Sequence, residues 1–193
     1  MVQIGVTLFE YLAIAHSLFI SFAVLRALSG LPHALAAQRR YWIHLAWVCL
    51  NLNASFAMFW GFWGFRDVDW NYGRFLLTLG NPALLYVLAC ILTPEEPSRV
   101  VSWREHFFAA RIKIFSTALC WLAVLIAISF AVLEIPLGHP IRFFEAAFFA
   151  IWTLGAFSKR PAVHATIVCI MLVAVIVLSV SLLVQPGGIA EIP

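Results

Sequence analysis

AVHATIVCIMLVAVIVLSVSLLV, residues 162–184, decides the fold, because no charged residue interrupts it. A helix needs roughly 20 mostly apolar residues to cross the hydrocarbon of a bilayer. Working outward from this stretch, five more segments meet that requirement, at about 4–28, 42–65, 73–93, 107–133 and 140–158. The expected fold class is therefore an all-α integral membrane protein, a bundle of about six transmembrane helices in three hairpins.

Composition supports the same class. Of the 193 residues, 64% are hydrophobic and 11% charged, with a mean hydropathy of +0.98. Soluble domains carry roughly a quarter charged residues, enough to cover a globule with polar surface. The longest stretch outside the apolar runs spans 93–106, which leaves no room for a soluble domain. A single polytopic domain over 1–193 is expected. Its work must lie in the bilayer, in short loops or in partners. The first apolar run has no basic residue before it and no small-residue cleavage site after it, so it reads as a retained helix. Cys49, Cys90, Cys120 and Cys169 all fall within apolar runs without CxxC pairing, as packing residues do.

The net charge of +3 is small, and the basic residues come scattered in pairs. That pattern encodes topology and gives no sign of nucleic-acid binding. Arg26, Arg39, Arg40, Arg99, Arg104, Arg111, Lys113, Lys159 and Arg160 gather on one side of the expected bundle, against Arg66, Arg74 and Arg142 on the other. Positively charged loops face the cytoplasm, which puts both termini outside and the protein in a cell (inner) membrane. The outer loop with Asp67 and Asp69 lies between Trp60, Trp63, Trp70 and Tyr72, an expected interfacial belt.

The segment 162–184 begins with an echo. Residues 159–164 read KRPAVH and residues 39–44 read RRYWIH: two basic residues, three others, then a histidine. Phe9-Glu10 and Phe144-Glu145 precede these pairs near the other end of their hairpins. A parallel repeat of hairpins one and three is one reading. The other is two anchored helix starts.

Ionisable residues within spans are expensive and mark functional sites by default. An outer layer holds Glu10, Glu145, Arg74 and Arg142, either a carboxylate site for a cation or proton or a set of ion pairs. A middle layer holds His16, Asn51, Asn53, Thr78 and Asn81. His44, Asn51 and Ser55 share a stripe on the second helix. Thr7, Glu10, Ser17 and Ser21 share one on the first, and Arg74, Thr78 and Asn81 one on the third. Pro82 removes a backbone donor and frees a carbonyl one turn earlier. The three stripes either line a polar path or hydrogen-bond the bundle together. An inner layer holds His44 and His164.

No HxxxH, HxxxC or ExxH pattern supports a metal, and no GxSxG or P-loop is present. No cofactor is expected. Haem or a metal between His44 and His164 is the one alternative that the spacing leaves. Three functions follow as expectations. The first is a small channel or transporter for protons, small cations or solutes, responsive to pH, along Glu10, Glu145, His16, Asn51, Asn81, His44 and His164. The second is an accessory or scaffold subunit that docks aromatic faces on a larger membrane complex. The third is a membrane sensor or enzyme with a buried cofactor. The expected partners are the lipid bilayer and either a larger complex or a second copy, since Ala146 and Ala150 form a small-xxx-small pair.

Overall fold

A computed structural model describes residues 7–36 and 38–184, with side chains described to Val177. Six helices make up the described chain, with no strand among the described residues. They are α1 (Leu8–Leu35), α2 (Trp42–Gly61), α3 (Tyr72–Leu92), α4 (Trp103–Ala131), α5 (Ile141–Phe157) and α6 (Pro161–Val184). A 3₁₀ turn, Phe62–Phe65, extends α2. Helices α1 to α4 are long and apolar enough to cross a membrane. At 17 residues, α5 sits at the lower limit for a span.

The first helix departs from its expected bounds of 4–28. Residues 4–6 lie outside the described part, as do both termini. The helix continues to Leu35, through Gly30 and Pro32. A proline so near a helix end leaves only one carbonyl without its partner. Gly30 lets α1 approach Thr93, the residue that ends α3, since a Cβ there would overlap its side chain. The fourth helix starts earlier than its expected 107, because Ser102 caps it by accepting from the amide of Glu105 at 3.3 Å.

Packing contacts run in a circuit: α1 against α3, α3 against α4, α4 against α5, α5 against α6, α6 against α2, and α2 back to α1. Helix α2 also touches α3 and α4. Aromatic rings fill the space between α2, α4 and α5. Trp47 meets Phe115 edge-on at 5.2 Å and Trp152 at 6.5 Å. All three are in the buried core. Gly155 lets α5 approach α4, because a Cβ there would overlap the Phe115 ring.

Candidate functional site

The polar residues fall into three places, one at each end of the bundle and one between.

At the end holding the basic loops, each of α2, α4 and α6 carries a histidine in its first turn: His44, His106 and His164. His164 donates from Nε2 to the carbonyl of Ser158 at 2.9 Å, tying α6 to the end of α5. His106 donates from Nε2 to the carbonyl of Ile91 at 3.1 Å, tying α4 to the end of α3. With carbonyls as partners, Nε2 must carry the proton in both rings. His106 is thus the counterpart of His164. The sequence places it at the end of the 93–106 stretch outside the apolar runs, whereas the structure puts it in the first turn of α4.

His44 is the odd member. It is 1% exposed, stacks on Trp103 at 4.5 Å and meets His106 edge-on at 5.7 Å. Neither of its nitrogens has a hydrogen bond. The loop before it is held instead by the α3–α4 connection and the first residue of α4. The Trp103 indole donates to His33 O at 2.9 Å, and Arg39 donates to Ser98 O and Val100 O at 2.6 and 3.1 Å. Next to it, burial pushes the Tyr41 phenol up, against the opposing charge of Arg104. His44 and His164, the pair expected for haem or a metal, have different surroundings. The first lies against Trp103, while the second packs among Phe107, Phe108 and Phe115 with Nε2 occupied. Among the described residues no three metal-ligating side chains converge.

At the opposite end the two glutamates have different surroundings. Glu10 is exposed and closes a capping box with Thr7: its carboxylate accepts from Thr7 N at 2.7 Å, and its own amide donates to Thr7 Oγ1 at 3.3 Å. Glu145 is 9% exposed and paired with Arg142 at 2.7 Å. Arg142 also donates to Ser129 Oγ at 2.6 Å and Ile135 O at 2.8 Å, and lies 3.6 Å over the Phe130 ring. Arg74 donates to Asp69 O at 3.0 Å and pairs with Glu134 at 3.1 Å. Every cation in this layer therefore has a carboxylate partner: Arg66 with Asp67, Arg74 with Glu134, Arg142 with Glu145.

Between the ends, α1, α2 and α3 enclose a polar seam. Pro82 has no N–H for Thr78 O, and His16 Nε2 fills that vacancy at 3.0 Å. His16 is 3% exposed, and Phe62 covers it at 4.4 Å between ring centroids. One turn on, Asn81 is 8% exposed. A further turn on, Asn51 Nδ2 donates to Leu85 O at 3.2 Å, and Ser55 donates to Asn51 O at 2.9 Å. Thr78, Asn81 and Leu85 lie on one face of α3 and span roughly 10 Å along it. Asn51 Oδ1, Asn81 Oδ1 and His16 Nδ1 are buried without a hydrogen bond. Together they leave three acceptor positions along the seam.

The seam does not take in every expected member. Asn53, two residues from Asn51, is half-buried on another face. The stripe expected on the first helix turns away: Glu10 and Ser21 are exposed, and Ser17 and Ser21 donate to their own helix. His16 replaces that stripe. A largely apolar groove of about 510 Å³ between α1 and the end of α2 has His16 and Ser17 in its wall.

Comparison with known proteins returns no matching family model, no similar curated protein and no similar solved structure. Four helices that can cross a bilayer fit a membrane protein. Its activity has to be argued from its own residues.

Proposed function

We propose that the chain is a small membrane transporter or channel whose path for a proton, small cation or hydrogen-bond-donating solute follows the seam between α1, α2 and α3. One observation carries this reading. Three buried acceptor atoms, on His16, Asn51 and Asn81, lack partners beside a helix that Pro82 has already opened. Neutral oxygens and an imidazole nitrogen suit a small cation or an N–H or O–H donor. Glu10 and Glu145 drop out of the path, since one caps α1 and the other is paired with Arg142. His44 is the group toward which the seam would lead at the basic end, seven residues or roughly 10 Å before Asn51 on α2. Six spans, with the basic loops cytoplasmic and both termini outside, complete the proposal, supported by the excess of lysine and arginine at that end.

The test is flux into proteoliposomes under a pH or cation gradient. Asn51→Leu with Asn81→Leu should cut flux about tenfold or more, since losing 1.4 kcal/mol of site interaction is already tenfold. Glu10→Gln should leave it unchanged. Folded wild type that passes no proton, sodium, potassium or ammonium would sink the reading.

The accessory-subunit reading has its own support. Phe143 and Phe157 on α5 are 81% and 82% exposed, and Phe56 and Phe59 on α2 are 58% and 60% exposed. Purification from native membranes decides between the two. A stoichiometric partner on these faces favours the subunit, whereas a lone or self-associated chain favours the transporter.

A further inference from the structure

Arg111 is a cation without a counter-charge. It lies eight residues into α4, roughly 12 Å from the helix start, and is 7% exposed. Its Nε donates to Ala156 O at 2.9 Å. The ion pairs among the described residues are Arg66 with Asp67, Arg74 with Glu134, Arg99 with Glu96 and Arg142 with Glu145, so Arg111 has no carboxylate. Its two terminal nitrogens make no hydrogen bond among the described residues, yet they are not sealed in as Arg142 Nε is. A buried charge without a partner is strongly unfavourable, and proteins normally place a counter-ion against it.

The surroundings deepen the deficit. Ala156 belongs to the last turn of α5, whose partial negative charge would help Arg111. However, α6 begins at Pro161, and its partial positive end offsets that help. The linker between them, Ser158-Lys159-Arg160, adds two exposed cations. The grip of Arg111 on Ala156 and of His164 on Ser158, two residues apart, fastens the start of this linker to α4 and to α6. No acidic residue occurs between Glu145 and the end of the described side chains at Val177. Glu105 is six residues before Arg111, roughly 9 Å along α4 and on a different face. Alongside, Phe157 is 82% exposed and Ile112 is 61% exposed.

We propose that Arg111, Lys159 and Arg160 form a binding site for the phosphate of an anionic phospholipid. The phosphodiester supplies the missing negative charge, and its oxygens accept from the free guanidinium nitrogens of Arg111. Its acyl chains lie on Phe157 and Ile112. The position fits a headgroup, because the other basic loops share this end of the bundle. The proposal stands apart from the seam and does not depend on transport.

The experiment is native mass spectrometry of the full chain in detergent, titrated with phosphatidylglycerol, with phosphatidylcholine of the same chains, or with inorganic phosphate. Phosphatidylglycerol should bind about tenfold more tightly than phosphatidylcholine, and inorganic phosphate should not compete at equal concentration. Lys159→Gln with Arg160→Gln changes only exposed side chains and should abolish most of that preference. Arg111→Gln should do the same where it folds. Arg40→Gln with Arg104→Gln removes the same charge elsewhere at this end and should keep the preference. Equal binding of both lipids, an unchanged preference in Lys159→Gln/Arg160→Gln, or an equal loss in the control pair would each overturn the site. Inorganic phosphate that binds as tightly as the lipid would overturn the lipid as its occupant.

Discussion

Arg142→Leu should destabilise the protein by about 3–5 kcal/mol, measured by reversible unfolding in mixed micelles, because it strands a buried carboxylate. The side chains of Arg142 and Glu145 are only 14% and 11% exposed. With Arg142 gone, Glu145 keeps only Ser129 Oγ, at 3.5 Å. The arginine also ties α4 to the following loop through Ser129 Oγ and Ile135 O, so those bonds are lost as well. The same logic predicts a rescue. Replacing a buried ion pair by apolar residues is often neutral or better. Arg142→Leu with Glu145→Leu should therefore recover most of the loss. A double variant as unstable as the single one would show that the hydrogen bonds to Ser129 and Ile135, rather than the stranded charge, carry the cost.

Gly155→Ala should destabilise by about 1–3 kcal/mol, the usual cost of overfilling a packed core. Two effects compete here. Alanine is favoured over glycine inside a helix by about 1 kcal/mol. Against that, the new methyl would overlap the ring of Phe115. That ring is 0% exposed and already wedged against Trp47 and His164, so it has nowhere to go. Overlap wins. Gly155→Ala with Phe115→Leu should regain part of the loss by making room. A stabilised Gly155→Ala protein would mean that α4 and α5 separate easily.

Much of the fold was legible, for a plain reason. Apolar runs of span length, punctuated by KRP, GHP and paired arginines, leave few alternatives to a helical bundle. The expected starts at 4 and 107 pass over two caps that the sequence also contains: Thr7-Leu-Phe-Glu10 and Ser102-Trp-Arg-Glu105 follow the capping pattern, which gives Glu10 a local structural role. The carbonyl freed by Pro82 could be foreseen, but not its partner. His16 lies 62 residues away on another helix. Which face of a helix turns inward was the hardest part. In a bilayer the outer face is as apolar as the core, so period alone does not separate them. The expected inward stripe of Thr7, Glu10, Ser17 and Ser21 is exposed or bonded to its own helix, while His16, expected in the middle layer, is the α1 residue that faces the seam. The echo between RRYWIH and KRPAVH is one of spacing, and the structure gives its two histidines different neighbours. Trp103 stacks on His44, whereas His164 packs among phenylalanines and bonds Ser158 O.

The two kinds of loop closure at the basic end also predict an order of assembly during synthesis. His164 reaches back six residues and His106 fifteen, so the second and third hairpins can finish as soon as their own helices exist. The first hairpin cannot. Its turn is held by Ser98, Val100 and Trp103, which lie 59 to 70 residues downstream of their partners. The first hairpin is thus completed by a later stretch of the chain, and until Trp103 has been translated the turn around Arg39 lacks its fastenings. Protease accessibility of stalled nascent chains, cut before and after that residue, reads this sequence of assembly directly.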